Sequence, residues 1–408
     1  MNGARSGSSM NRFVPGNRVV LLRDGAQYFP ALVAAIEDAQ REIWLESYIF
    51  ADDPAGRLIA AALSRAAIRG VRVRVLIDGW GAKIYMSAAL HADMKKSGID
   101  LRKYRPEVAP WQFRSHRLRR LHRKLCQIDG RIAFVGGINI IDDMNTPHHK
   151  PPRADFAVRI EGPLLPAVEY AMQRVWALVE LVQTGSSDVP LFPERRRVAR
   201  VGNQTAKFVA RDNLRHRRDI ERAYLAALRT ARREVIIANS YFFPGIGFRR
   251  ALAAAAQRGV KVTLLLQGKV EYLLLHFASR ALYGQLLQAG VIIQEYHRSM
   301  LHAKVAVVDD HWATVGSSNI DPYSFLMARE ANVFVRDGGF NAELKAQLLE
   351  MINGGSRQVI AGDWQLRPRL YKAAIWVAYG IVRLAMGFLG YGGNEWFTRP
   401  GQLAETDD

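Results

Sequence analysis

The sequence is 408 residues long, more than one ordinary domain and enough for two. Hydrophobic residues at 49% and charged residues at 23% exclude disorder, collagen and a coiled coil, and the one cysteine, Cys126, excludes an internal disulfide or a cysteine metal cluster. Lys and Arg number 57 against 38 for Asp and Glu, and a net charge of +19 draws polyanions, either nucleic acid or an acidic lipid surface.

The opening MNGARSGSSMNRFVPGN has no apolar core, so no cleavable secretory signal is expected. From ALVAAIEDAQREIWLESYIF onward the pattern is amphipathic helix, charged turn and apolar strand, and the strand ends in Ser47-Tyr48. A second helix and a glycine-led strand, GVRVRVLID from Gly70, follow. The same order returns as ERAYLAALRTARREVIIANSYFF, with Ser240-Tyr241, and as GVKVTLLLQ from Gly259. Tyr48 and Tyr241, and Tyr104 and Tyr296, mark matching places, and the first half carries extra residues within PEVAPWQFRSHRLRR. Strands alternating with helices predict an α/β fold, with a mixed sheet covered by helices on both faces. The boundary between halves is predicted in TGSSDVPLFPERRR, residues 184–197, which separates a first unit (1–190) from a second (191–365) and a tail (366–408).

Each half carries one string that bears chemistry. His122, Lys124 and Asp129 precede Gly136-Gly137-Ile138-Asn139, while His302, Lys304 and Asp309 precede Gly316-Ser317-Ser318-Asn319. The spacing from His to Asn is identical, and two such strings in register within a duplication are a strong signal. On an extended segment His and Lys two apart share a face. Return strands would bring Asn139 and Asn319 back beside them. Two lysines and two amides then form a pocket for one tetrahedral anion, where one imidazole attacks phosphorus and the other protonates the leaving oxygen. No Asp-rich cluster for Mg²⁺ is evident, so the reading needs no metal and no cofactor.

The paired H-x-K-x4-D string resembles the signature of the phospholipase D superfamily. More narrowly, HRKLCQIDGRIAFVGGINI, DFAVRIEGP, ANSYFFP and LHAKVAVVDDHWATVGSSNIDPYSF resemble bacterial cardiolipin synthases of the B type, which lack N-terminal membrane helices. The resemblance implies two tandem α-β-α sandwich domains related by a pseudo-twofold, with one shared active site. It implies a phosphohistidine on His122 and acid–base work by His302, although the sequence by itself allows the reverse. It also implies a carboxylate downstream of each motif to fix the imidazole tautomer: Asp155 after His122 and Glu330 after His302. Asp129 and Asp309 belong to the motif, but the turns they occupy make them supports rather than proton carriers.

Other features were weighed against plainer readings. His148-His149 lies in a Pro-rich loop and reads as solvated rather than metal-binding. Cys126, in strand parity with Lys124, reads as a small buried hydrophobe. The basic run from Arg114 to Lys124, with Trp111 and Phe113 upstream, reads as a headgroup or phosphate contact. The run from Glu271 to Gly290 reads either as a core helix or as an acyl-chain wall. The apolar stretch Ala373 to Gly393, with Arg383 and several glycines, reads as an interfacial hairpin with Trp376, Tyr379 and Trp396 at headgroup level, rather than as a span or a core pair.

The expected activity is transfer of a phosphatidyl group, with phosphatidylglycerol the first candidate donor, onto a glycerol hydroxyl. A phospholipase D-type hydrolase and a nuclease are the alternatives. The expected partner is an anionic phospholipid surface (phosphatidylglycerol, cardiolipin), with no nucleic acid and no obligate protein partner. The expected place is peripheral, on the cytoplasmic side of a bacterial inner membrane.

Overall fold

A computed structural model describes residues 12–106, 119–147, 149–192, 197–212, 216–268, 273–321 and 328–386. The first half runs β1 (Val14–Arg23), α1 (Asp24–Glu37), β2 (Glu42–Ser47), α2 (Pro54–Ile68), β3 (Arg72–Asp78), α3 (Gly79–Tyr85), α4 (Ala88–Lys96) and β4 (Asp100–Tyr104). It continues with β5 (Arg120–Leu121), β6 (Lys124–Ile128), β7 (Ile132–Gly136), β8 (Arg153–Ala154), β9 (Phe156–Glu161) and α5 (Leu165–Thr184). The second half repeats the plan as β10 (Gln204–Arg211), α6 (Asp219–Thr230), β11 (Glu234–Asn239), α7 (Ile246–Gln257), β12 (Lys261–Gln267), α8 (Leu273–Arg280), α9 (Tyr283–Gln288) and β13 (Ile292–Tyr296). It then runs β14 (Met300–Leu301), β15 (Lys304–Val308), β16 (Trp312–Gly316), β17 (Ala328–Arg336) and α10 (Gly338–Gly355). A short β18 (Ser356–Gln358), α11 (Ala361–Gln365) and α12 (Arg369–Met386) follow.

Local chemistry explains the boundaries. Asp53 caps α2 by accepting from Gly56 N at 3.0 Å, with Pro54 preset at the first turn. Asp337 caps α10 through Phe340 N at 2.8 Å. Gly70 and Gly259 end α2 and α7 at φ near 90°, a region open to glycine, which is why the sequence shows a glycine before each following strand.

The strands join in the order β18-β13-β12-β11-β15-β16-β17-β10-β1-β9-β7-β6-β2-β3-β4. From β13 to β10 and from β4 to β1 the sequence of partners is the same read from opposite ends, so the pseudo-twofold passes between β10 and β1. Both faces of the inner strands are buried. α1 and α2 cover one face in the first half, and α6, α7 and α9 the corresponding face in the second. The opposite faces share one core across both halves, filled by Val168, Met172 and Trp176 of α5 and by Leu344, Leu348 and Met351 of α10. Two core faces on one set of strands account for the nearly unbroken apolar runs in the sequence.

Three expectations change. The run from Glu271 breaks into α8 and α9, and Ala278, Leu282, Tyr283 and Leu286 enter the core. The segment expected to be a separate tail begins with α12, which packs on the second half through Ile375, Ala378, Tyr379 and Val382. Tyr379, expected at headgroup level, is buried with its ring centroid 5.4 Å from that of Phe243. Finally, Tyr48 and Tyr241 are not equivalent. The bridges Phe50↔Ile140 and Phe242↔Ile320 place Ser240 opposite Tyr48 and shift the Ser-Tyr match by one residue. Trp111, Phe113, Arg114, His148 and Trp396, and the chain beyond Met386, lie outside the described residues.

Candidate active site

Each motif histidine is held by the other half of the molecule. β5 pairs in parallel with β17, and His122 N then donates to Arg329 O at 3.0 Å. β14 pairs in parallel with β8, and His302 N donates to Ala154 O at 2.8 Å. The residue after Arg329 is Glu330 and the residue after Ala154 is Asp155, so the carboxylates reach across. His122 Nδ1 lies 2.9 Å from Glu330 Oε1, and His302 Nδ1 lies 2.6 Å from Asp155 Oδ2. Chain order had matched each histidine with its own downstream carboxylate, and the structure exchanges the partners. Glu330, held ionised, only accepts, so His122 carries its proton on Nδ1 and keeps Nε2 for chemistry, while Asp155 and Nδ1 of His302 share a proton across their contact.

The second carboxylate oxygens are also placed. Glu330 Oε2 accepts from the Ser317 hydroxyl, while Asp155 Oδ1 accepts from Phe156 N at 2.8 Å. Ser317 has Gly137 as its counterpart, where a Cβ would lie 2.3 Å from Asp155 Oδ1. The small-residue turns thus differ because one carboxylate needs a hydroxyl and the other needs room.

Lys124 and Lys304 are buried, and each Nζ donates to the carbonyl of its own motif histidine. The histidine side chains are 19% and 12% exposed, so part of each ring remains reachable. Burial lowers the Lys124 ammonium to about 7 and that of Lys304 to about 8. Burial also lowers both imidazoles, His302 well below its ordinary value, with Lys304, Arg153 and Lys124 adding to that push. Asp155 is raised by burial to about 7. Burial acts the same way on Glu330, but His122, Arg211 and Lys124 outweigh it and hold that carboxyl below its usual range. An arriving phosphate anion would reverse the depression of the lysines and imidazoles.

Asn139 Oδ1 accepts from Ile49 N at 3.1 Å, and Asn319 Oδ1 accepts from the Ser240 hydroxyl at 3.1 Å. With the oxygens so engaged, the NH₂ groups are the ends left for an anion. Asp129 and Asp309 lie at the far turns of β6 and β15, with φ of 53° and 50°. Asp129 accepts from the backbone N–H groups of Gln40, Arg41 and Glu42, and Asp309 from those of Arg232, Arg233 and Glu234. These two clamp the loop before β2 or β11 and do not join the histidines.

Tyr48 is a neighbour that the sequence left without a role. Its ring centroid lies 4.9 Å from that of His122, and Lys124 Nζ lies 5.5 Å over it. Within the basic run, Arg120 Nε lies 3.5 Å from Asp78, and Arg123 pairs with buried Glu46 and donates to Ala171 O at 2.8 Å. These two arginines serve the protein's own carboxylates rather than a headgroup. Cys126 is fully buried, and burial raises its thiol. His149 Nδ1 lies 3.4 Å from Gln267 Nε2. Among the described residues no group of three or more His, Cys, Asp or Glu is arranged to hold a metal ion, and no helix is long and apolar enough to cross a membrane.

The family described as "Cardiolipin synthase, PLD-like domain" matches residues 32–149 and 224–352, one stretch around each motif. The chain is 42% identical over 348 residues to cardiolipin synthase B of Escherichia coli K12, covering 84% of this chain and 82% of that protein. It is 29% identical over 381 residues to cardiolipin synthase A of Salmonella arizonae, covering 89% and 72%. Among solved structures, phosphatidylserine synthase of Haemophilus influenzae Rd KW20 shares the fold, with a TM-score of 0.67 over 93% of this chain and 97% of that one at 11% identity. Polyphosphate kinase of Porphyromonas gingivalis shares it more distantly, with a TM-score of 0.55 over 91% of this chain and 53% of that one. With both motifs inside the matched stretches, and with carboxylates exchanged across a duplicated fold, the chain belongs to the cardiolipin synthase family of phospholipase D-like proteins.

Proposed function

We propose that this protein joins two phospholipids into cardiolipin through a phosphohistidine at the centre shared by its halves. The observation that carries this reading is the crossed pair of dyads, His122–Glu330 and His302–Asp155, flanked by Lys124 and Lys304. Neither half holds a complete site.

His122 Nε2 attacks the phosphorus of a phosphatidyl donor, with phosphatidylglycerol the first candidate. The P–O bond to the headgroup alcohol breaks, and the leaving oxygen takes the proton on Nε2 of His302, whose pair with Asp155 enters the reaction carrying one added proton. Glu330 stabilises the cationic phosphohistidine through Nδ1–H. Lys124, Lys304 and the amides of Asn139 and Asn319 bind the non-bridging oxygens, where charge accumulates in the transition state. The glycerol hydroxyl of a second phosphatidylglycerol then gives its proton to His302 as its oxygen attacks phosphorus. The P–N bond breaks and His122 returns to its starting state.

Family membership makes the protein a membrane-associated lipid enzyme. The finer placement we propose is peripheral, on the cytoplasmic leaflet of a bacterial inner membrane. The net charge of +19 supports it, as does the outer face of α12, where Leu370, Trp376, Val377, Ile381 and Leu384 are exposed. The test is incubation with phosphatidylglycerol vesicles followed by thin-layer chromatography. Cardiolipin and glycerol are expected. Phosphatidic acid as the sole lipid product would make the protein a hydrolase.

A further inference from the structure

The two dyads are related by the pseudo-twofold, yet the charge behind them is opposite. In β1, Val19 pairs with Ile160 and Arg23 with Phe156, while in β10, Ala206 pairs with Val335 and Arg211 with Glu330. This register makes Asp24 the counterpart of Arg211. Asp24 N donates to Asp155 O at 2.9 Å, and Asp155 N donates to Asp24 Oδ1 at 2.8 Å. Arg211 is fully buried and donates from its guanidinium to Ala328 O at 3.0 Å. So a carboxylate backs the dyad of His302, and a guanidinium backs the dyad of His122.

We propose that Asp24 and Arg211 divide the labour between the two histidines: the anion behind Asp155 makes the His302 dyad the proton store of the reaction, and the cation behind Glu330 keeps the His122 dyad deprotonated and ready to attack. Both residues act through the carboxylates and touch no substrate.

Other charges act on each dyad beside these two, His122 on Glu330 foremost. Asp155 faces His302 and Lys304 from the second half, Lys124 from β6 and Asp24 from α1, with Asp143 beyond Asp24 and with Arg23 of β1, itself paired to Glu350, 3.6 Å from the Asp24 carboxylate. Glu330 faces His122 and Lys124 from the first half, Lys304 from β15 and Arg211 from β10. Both lysines act on both carboxylates, so they do not tell the dyads apart. Arg153 acts on His302 and disfavours charge on the imidazole, which leaves Asp155 as the seat of an added proton. The directions agree: burial raises Asp155 with Asp24 adding to it, and Glu330 is lowered against burial by His122 first and then by Arg211. From Asp155 the proton reaches the leaving oxygen by a relay in which Nε2–H is donated outward while the Asp155 proton moves to Nδ1.

The proposal rests on the phosphohistidine reading and is tested on the full chain with a soluble short-chain phosphatidylglycerol, by the pH dependence of kcat. Activity falls at low pH when the His122 dyad takes up a proton. It falls at high pH when the His302 dyad loses its own. Asp24→Asn keeps an oxygen for Asp155 N and removes the anion, so the alkaline limb should move down by about half to one pH unit with the acid limb in place. Arg211→Gln should move the acid limb up by a similar amount, and Arg211→Lys should leave it where it is. Asp24→Asn decides alone where Arg211→Gln is not recovered folded. A uniform loss of rate in Asp24→Asn, with neither limb displaced, overturns the proposal, and so does displacement of the acid limb. Protein denatured in detergent at mildly alkaline pH, where a phosphohistidine survives, is checked in parallel for label on His122. Label there with unmoved limbs sinks this proposal alone, whereas label on His302 sinks the underlying reading as well.

Discussion

The proposed catalytic centre and the flank formed by α12 are built on opposite principles. At the centre, charged side chains are buried and every one is held: Lys124, Lys304, Asp155 and Glu330 each have named partners, and strands from both halves fix the histidines. On α12 the inner face is core, while apolar residues on the outer face, from Leu370 to Leu384, have no protein over them among the described residues. Burial of charge costs stability and creates reactivity, since desolvation moves lysines and carboxyls toward neutrality. Exposure of apolar surface costs solubility and creates contact. An enzyme whose substrate lies in a bilayer needs both, and here they sit on separate elements.

That separation can be broken from either side. The largest effect is expected at the centre. His122→Ala and His302→Ala should each lower transfer by about 10⁴-fold or more while the thermal midpoint stays near wild type. Near-normal turnover in either variant, measured with vesicles, would dissolve the shared site. Glu330→Gln and Asp155→Asn should follow with losses of about 10² to 10⁴, as expected when a histidine loses the group that fixes its tautomer.

Next come the clamps and the inner face of α12, where stability should suffer and chemistry should not. Asp129→Ala leaves three backbone donors without an acceptor and should cost about 2 to 3 kcal/mol in denaturant unfolding. Tyr379→Ala empties a core position and should cost about 3 kcal/mol. Removal of α12 altogether should therefore unfold part of the second half rather than merely release the protein from membranes. An unchanged melting curve after that truncation would return α12 to the status of a loose tail.

A smaller effect is expected on the outer face. Val377→Ser with Ile381→Ser should leave folding and short-chain activity intact and weaken flotation with phosphatidylglycerol vesicles by about tenfold at high salt. Equal flotation of variant and wild type would remove this face from the account. The smallest effect is expected from chelation: EDTA should leave turnover essentially unchanged, because Lys124 and Lys304 supply the positive charge at the phosphate. A complete loss that one divalent ion restores would reveal a metal requirement.

How much was legible in the sequence follows the range of each interaction. The duplication, the alternation of helix and strand within each half and the motif residues could be read, because each is set by short spacing and periodicity. The glycines before β3 and β12 were visible for the same reason. The partner exchange was not legible, since His122 and Glu330 are 208 residues apart, His302 and Asp155 are 147 apart, and only strand pairing between halves brings them together. Asp24 and Arg211 share no residue type, so no repeat alignment pairs them; the sheet register does. The Ser-Tyr match between the halves misled in the other direction, since identical letters sit one residue out of register. The apolar stretch near the C-terminus reads as one unit because hydropathy does not distinguish a helix face that meets core from one that is left exposed.

The central claim is that one phosphorus passes through His122 while His302 moves the protons. A short-chain phosphatidyl donor with a p-nitrophenyl leaving group needs no acid for departure and separates the two roles. His302→Ala should release a burst of p-nitrophenol equal to the enzyme present and, after denaturation in detergent at mildly alkaline pH, hold the phosphatidyl label on His122. His122→Ala should give neither burst nor label. A burst in His122→Ala with label on His302 would contradict the account directly.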